Sequence, residues 1–387
     1  MTGGTTAGTQ PVFLGGIRAA GAGNGASRLL FPMGVLPPPG YTGRMRHFLY
    51  DRLLRPALFR LDPESAHHFA MWALGFVAAS RPLRKLIAHS PDPRLSRTVF
   101  GLKFPSPVGL AAGFDKSAHV LPAWEALGFG FVEAGTITPR PQPGNPRPRV
   151  FRYPQLAALV NRMGFNNDGA EAVAARLDAL RTSRQWPSIP VGINIGKNKD
   201  TPLDLAASDY ASAFDHLRPF ADYIALNISS PNTPGLRSLQ GREALEPLLE
   251  SVQAQNLAQA PVRPLLVKLA PDLGWDEIET MIEVATRWGA SGLIATNTTL
   301  DHSCIAGRDE AGGLSGSPLR ARSTEVVRFI AERTRLPIIA SGGVMNADSA
   351  LEKFDAGAAL VQVYTGFVYH GPALLREIEE ALLRRAG

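Results

Sequence analysis

Residues able to do chemistry gather in eight short stretches of this 387-residue chain, each closing an apolar run. They are Ala111-Ala112-Gly113-Phe114-Asp115-Lys116, Gly135-Thr136, Asn194 with Gly196-Lys197-Asn198, and Asn227-Ile228-Ser229-Ser230-Pro231-Asn232-Thr233. The other four are Lys268, Thr296-Asn297-Thr298, Ser341-Gly342-Gly343 and Tyr364-Thr365-Gly366. Uncharged amides and hydroxyls dominate, with Lys116 and Lys268 among the few charges, which suits many hydrogen bonds to a planar polar ligand. Gly342 and Gly343 fit a phosphate site in which backbone N–H groups meet an anion; taken alone, they fit a tight turn somewhat better. Lys268 sits between Val267 and Leu269, so it reads as a strand lysine aimed inward.

Something must hold these stretches together. The apolar, β-branched runs lie at 107–113, 131–136, 191–196, 223–230, 265–271, 292–298, 337–343 and 360–366. Stretches of helical period separate most of them, at 168–180, 203–217, 275–288, 323–332 and 348–356. Strands alternating with helices imply parallel pairing, and eight such units predict an α/β fold, a (β/α)8 TIM barrel over 107–387. A doubly wound sheet is the alternative, but no G-x-G-x-x-G turn follows the first strand. In such barrels the strand C-termini carry the active residues, where the polar stretches stand.

The N-terminal part reads differently. Residues 1–44 hold eleven glycines and the Pro37-Pro38-Pro39 run without an apolar period, which predicts a disordered leader. The simplest expectation is that Met45 is the natural start. From there to 106 a small helical cap and linker is expected. Asp62-Pro63-Glu64 provides an N-cap, a proline at the first helical position and an acid in the first turn. Phe69, Trp72, Ala73, Phe76 and Val77 then recur at helical spacing, as in a helix lying on a membrane surface.

The net charge of +6 divides unevenly. Residues 1–50 carry four arginines and no acid, 51–106 nine basic against four acidic residues, and 107–387 27 basic against 30 acidic. The basic end fits an anionic membrane face, and the mildly acidic body argues against nucleic acid. One cysteine, Cys304, excludes an intrachain disulfide and reads as a bystander thiol. No run approaches the roughly 20 apolar residues of a bilayer span. Residues 192–197 have the wrong spacing for a phosphate loop, and Asn198 stands where Ser or Thr would bind magnesium. The histidines lack ligand spacing, so no metal is expected.

Five motifs together resemble the dihydroorotate dehydrogenases, and more narrowly their quinone-dependent, membrane-associated class 2. They are Ala111–Lys116, Asn161-Arg162-Met163-Gly164-Phe165-Asn166-Asn167, Ile195-Gly196-Lys197-Asn198-Lys199-Asp200, the NISSPNTPG run from Asn227 to Gly235, and Thr296-Asn297-Thr298-Thr299-Leu300. The likeness runs from about Met45 to the C-terminus. It implies an FMN barrel that oxidises dihydroorotate to orotate in pyrimidine synthesis and passes electrons to ubiquinone or menaquinone beneath the cap. It implies flavin contacts at Ala112, Gly113, Lys116, Thr136, Asn194, Asn227, Lys268, Thr296, Gly316, Gly343, Tyr364 and Thr365. Dihydroorotate would meet Lys116, Asn161, Arg162, Met163, Gly164, Phe165, Asn227, Asn232, Asn297 and Thr298. Ser230 would be the catalytic base, helped by a relay for which Thr233 is a candidate, since serine is a poor base. His67 and Arg152 would line the quinone site, with Tyr364 between flavin and quinone. A monomer on the cytoplasmic face of the inner membrane is expected. Phe114, Ala134, Ala340-Ser341 and Tyr153 depart from the family's usual residues and touch only cofactor fit or tunnel shape. The alternatives are another FMN barrel acting on tRNA, such as a dihydrouridine synthase, and a non-enzymatic membrane-surface protein.

Overall fold

Asp62 opens a helix of the cap as expected: its carboxylate accepts from the backbone N–H of Glu64 (3.1 Å) and Ser65 (3.0 Å), and the helix begins at Pro63. In the computed structural model, which describes residue 1 and residues 50–386 apart from 308, the described part of the cap holds three α-helices. They are α1 (Arg55–Arg60), α2 (Pro63–Ala79) and α3 (Arg81–Ile87). The expected leader, beyond its first residue, and Met45 lie outside the described residues.

A hairpin of β1 (Arg97–Val99) and β2 (Leu102–Phe104) leads into the barrel. Then β3 (Val108–Leu110) is followed by α4 (Leu121–Leu127), and β4 (Phe131–Ile137) by an excursion before α5 (Ala170–Thr182). That excursion holds β5 (Val150–Tyr153) and β6 (Ala158–Asn161). The units continue with β7 (Val191–Ile195) and α6 (Ala206–Leu217), β8 (Tyr223–Asn227) and α7 (Arg242–Leu257), then β9 (Leu265–Leu269) and α8 (Trp275–Arg287). After β10 (Gly292–Ala295) comes a short β11 (Gly313–Gly316) and then α9 (Arg320–Ala331). The last units are β12 (Ile338–Ser341) with α10 (Ala347–Asp355), and β13 (Leu360–Val363) with α11 (Thr365–His370) and α12 (Ala373–Ala386).

Eight strands close in the order β10-β12-β13-β3-β4-β7-β8-β9, every pair parallel. Each predicted apolar run overlaps one of them, the strand at Phe131–Ile137 reaching one residue past its run. Their residues are buried on both faces, as a barrel clothed in helices requires. Inside, the end by the strand N-termini is filled by Phe131, Tyr223, Leu266, Ile294, Ile339 and Leu360, plugged by Val99 and Phe104 of the hairpin. Glycine lets these rings in: a Cβ on Gly192 would sit 2.0 Å from the Tyr223 ring, and one on Gly109 2.4 Å from Phe131. The other end is left open to polar residues.

Two features were not legible in the periodicity. These are the β1–β2 hairpin and an antiparallel sheet β11-β6-β5, which rises from loops on the strand C-terminal side. Strands of three or four residues offer too little alternation to read.

Candidate active site

The floor of the site is a buried polar cluster inside the barrel. Glu133 of β4, wholly buried, accepts from Asn194 Nδ2 (2.8 Å), Gln362 Nε2 (2.7 Å) and Tyr223 OH (3.2 Å). Lys268 Nζ lies 4.0 Å from the same carboxylate. Burial pulls the Lys268 ammonium below its ordinary value, and Glu133 opposes that pull. Above Asn194, Thr136 donates to its Oδ1 at 2.5 Å and accepts from Asn227 Nδ2 at 2.8 Å. Alternate residues of neighbouring strands thus hand hydrogen bonds from the floor to the rim.

An amide array forms the rim. Asn297 Nδ2 donates to Ser229 Oγ (3.0 Å) and Asn227 Oδ1 (3.2 Å), and Asn232 Nδ2 donates to Asn161 Oδ1 (3.1 Å). Ser230 is buried, its Oγ accepting from the Asn232 N–H at 3.2 Å. Three residues on, the buried Thr233 hydroxyl has no hydrogen-bond partner among the described residues. Arg237 holds the loop from behind, donating to Ser229 O (3.0 Å) and Thr298 O (2.8 Å) and pairing with Asp272 (2.6 Å).

A cavity opens above this floor, inside the amide rim. One side is the glycine rim, where Gly316, Gly342 and Gly343 have φ of 98°, 102° and 72°. A Cβ on Gly343 would lie 2.3 Å from the Arg320 backbone, so glycine is required at that close approach. Lys116 lines another side, and no hydrogen bond or ion pair engages it among the described residues. Burial, opposed by Glu64, brings its ammonium down to about 8.

Under the cap lies a second, mostly apolar cavity, lined by residues of α1, α2, β5 and α11, among them Leu58, Ala70, Leu74 and Phe367, and by Phe114 of the loop after β3. Its polar lining includes His67, Arg152, Tyr50 and Glu64. His67 packs edge-on against Phe114 at 5.2 Å; burial, then the charge of Lys116, hold its imidazole well below the ordinary value. Arg152 caps α1, donating to Phe59 O and Leu61 O (both 3.1 Å). Lys116, Asn161, Met163, Ser315 and Tyr364 line both cavities. Residues 94–385 match the family model described as dihydroorotate dehydrogenase.

The chain belongs to the dihydroorotate dehydrogenase family.

Among its relatives, the dihydroorotate dehydrogenase (quinone) of Chloroflexus aurantiacus is 51% identical over 358 residues, covering 88% of this chain and 98% of that protein. That of Anaeromyxobacter dehalogenans is 52% identical over 336 residues, covering 86% and 91%. The crystal structure of DHODH in complex with ferulenol from Eimeria tenella is similar at a TM-score of 0.76 and 40% identity, covering 84% of this chain and 91% of that one. Its ligand-free form gives 0.78 at 39% identity, covering 84% and 96%.

Of the residues singled out from the motifs of this dehydrogenase family, Ala112, Gly113, Lys116, Thr136, Asn161, Met163, Gly164, Phe165, Asn227, Ser230, Asn232, Lys268, Thr296, Asn297, Thr298, Gly316, Gly343, Tyr364 and Thr365 line the first cavity. His67 and Arg152 line the second. Asn194 sits beneath the cavity wall, bonded to Thr136 and Glu133. The Arg162 side chain turns away from the cavity, to Glu310 at 3.1 Å and over the Phe151 ring. Its neighbours Asn161 and Met163 face in, because alternate residues of an extended segment point to opposite sides. Sequence reasoning missed Glu133. The signal that drew attention to Lys268, a charge within an apolar barrel strand, marks Glu133 equally. Cys304 is exposed and lies apart from both cavities.

Proposed function

We propose that this chain oxidises dihydroorotate to orotate at the first cavity, with FMN as the resident cofactor and a quinone in the cavity beneath the cap. The observation that carries this reading is the shared wall: a hydrogen-bonding mouth and an apolar tunnel meet at Lys116, Asn161, Met163, Ser315 and Tyr364. Two redox partners of opposite polarity then reach one centre from two sides.

The residues present fit FMN. Gly316 and Gly343 leave a cradle that a Cβ would fill, and the Lys268 ammonium, 5% exposed, makes no hydrogen bond among the described residues, with Glu133 at 4.0 Å. Gly343 and Thr365 would hold the phosphate end; Ala112, Gly113, Thr136, Asn227, Lys268, Thr296, Gly316 and Tyr364 would hold the rest, with Asn194 fixing Thr136 from beneath. When bound, FMN supplies a two-electron acceptor for the substrate's hydride and a donor to quinone.

The chain's own part is binding and proton transfer. A cyclic ureide presents N–H donors and C=O acceptors in one plane, and Asn161, Asn227, Asn232 and Asn297 offer both kinds of partner. Lys116, shared with the flavin site, neutralises the carboxylate as a compact charge. Thr298 and the segment Arg162–Phe165 close over the ligand, with Arg162 acting through its backbone. Ser230 takes the proton from the carbon next to the one that loses hydride, and the unpartnered Thr233 hydroxyl supports a relay onward. His67 and Arg152 orient the quinone, ubiquinone or menaquinone, with Tyr364 between it and the flavin.

The division into a cap at 45–106 and a barrel from 107 is supported by the first barrel strand opening at Val108. The exposed aromatics of α2 support a peripheral, anionic membrane surface, which we place at the cytoplasmic face of the inner membrane, with the protein a monomer. No helix among the described residues is long and apolar enough to cross a membrane. The test is to purify the protein in detergent, add dihydroorotate anaerobically and follow flavin absorbance, then compare ubiquinone with fumarate as acceptor. Bleaching with ubiquinone preference is expected. Absence of bleaching overturns the reaction, and fumarate preference overturns the quinone assignment.

A further inference from the structure

Asn145 lines neither cavity, yet it joins the two loops that carry the substrate residues. Its side-chain amide donates to Arg162 O and to Asn232 O, both at 3.1 Å. Its Oδ1 accepts from Lys199 Nζ at 2.9 Å, and its backbone N–H donates to Met163 O at 2.9 Å. The amide orientation follows from chemistry: carbonyls can only accept and an ammonium can only donate. Its own carbonyl accepts from Arg149 Nη1 at 2.9 Å, a guanidinium anchored to Glu64 of the cap.

The fit around this residue is close. A Cβ on Gly144 would lie 2.3 Å from Met163 O, and one on Gly164 would lie 2.7 Å from Asn145 Nδ2. The bridged loops follow β6 and β8, strands that no hydrogen-bond ladder joins. Across the same gap, Asn232 Nδ2 meets Asn161 Oδ1 at 3.1 Å. The amide array therefore depends on a separation that the barrel itself does not set.

We infer that Asn145 is a positioning residue for dihydroorotate: by bridging Arg162 O and Asn232 O, it fixes the spacing between Asn161–Met163 and Ser230–Asn232. This rests on the reading of that array as the substrate site. Small errors in such spacing are costly, because each hydrogen bond to a rigid planar ligand needs its own distance and angle.

The test is orotate affinity, followed by the change in flavin absorbance, in Asn145→Ala, Asn145→Asp and Lys199→Met. Asn145→Asp keeps an acceptor for Lys199 but loses both donors. Orotate binding is expected to weaken about tenfold in each Asn145 variant and about threefold in Lys199→Met, whose side chain is exposed. KM for dihydroorotate rises accordingly, while KM for quinone, flavin content and melting temperature stay near those of the parent. If the Asn145 variants do not fold, Lys199→Met decides alone. Parental orotate affinity in the folded variants, or a loss that tracks flavin loss, overturns the inference. Asn232→Ala separates the two failures: weakened orotate there, with Asn145 variants unaffected, sinks only the positioning role. Unchanged orotate in Asn232→Ala and Asn161→Ala sinks the substrate site itself.

Discussion

In the proposed reaction Ser230 takes the proton from carbon, and among the described residues its hydroxyl makes one hydrogen bond, which it accepts from the Asn232 N–H. Its own proton is therefore free to move on as it takes another. Ser230→Ala is expected to keep bound flavin and to slow dihydroorotate-driven flavin reduction by about 10²–10⁴-fold in stopped flow. A near-parental rate would sink the assignment. Lys116 provides a pH test. Burial brings its ammonium down to about 8, so it is charged below that value and neutral above it. Orotate affinity should thus hold steady up to about pH 8 and fall as pH rises further, by at most about tenfold per unit. Titrations from pH 6.5 to 9.5 would check this, and Lys116→Met should flatten the curve.

At the scale of elements, the cap is joined to the barrel by a buried ion pair. Glu64 of α2 meets Arg149 at 2.8 Å, both side chains nearly inaccessible, and Arg147 adds a contact at 3.1 Å. Burial alone raises the Glu64 carboxyl, but the hydrogen bond and charge of Arg149 outweigh it, leaving the group below its ordinary value. A lowered folded value means the contribution is complete above the unfolded Glu value near 4.3 and is lost as pH falls through the folded one. Glu64→Ala strands a buried guanidinium and is expected to cost about 3–5 kcal/mol, seen as a lower melting temperature at pH 7. The gap between parent and variant should narrow on acidification; a constant gap down to pH 3 would contradict the pairing.

At the scale of the whole molecule, the charge division has a spatial meaning. The net-basic region up to residue 106 includes α2 and α3, while the barrel is mildly acidic. Phe69, Trp72, Phe76 and Leu86 are 52%, 61%, 54% and 74% exposed. The opposite face of α2, with Ala66, Leu74, Val77 and Ala78, packs inward. A helix apolar on both faces, followed by α3 with its Arg81, Arg84 and Lys85, suits a headgroup boundary, where each buried aromatic contributes about 1.5–3 kcal/mol. Replacing Phe69, Trp72 and Phe76 together by serine should cut binding to anionic vesicles at least tenfold in co-sedimentation. Turnover with a soluble dye acceptor should persist. Undiminished binding would place the membrane contact elsewhere.

The barrel was readable because its strands are buried on both faces and its helices on one, and both patterns are local in sequence. The strand-end chemistry was readable because such barrels expose only those ends. The 17-residue α2 was legible for the same reason, through Asp62 and an unbroken helical period. What faces each side of it was not: an apolar stripe reads alike whether it meets a core or a membrane. Glu133 under Lys268, Arg149 against Glu64 and Asn145 between two loops were invisible, because their partners lie 54 to 135 positions away or carry no motif except backbone carbonyls. Hydrogen bonds between distant segments leave no period in the chain. Sequence alone determined which residues could bind a planar polar ligand; only the tertiary structure decided that their cavity shares a wall with an apolar one beneath the cap.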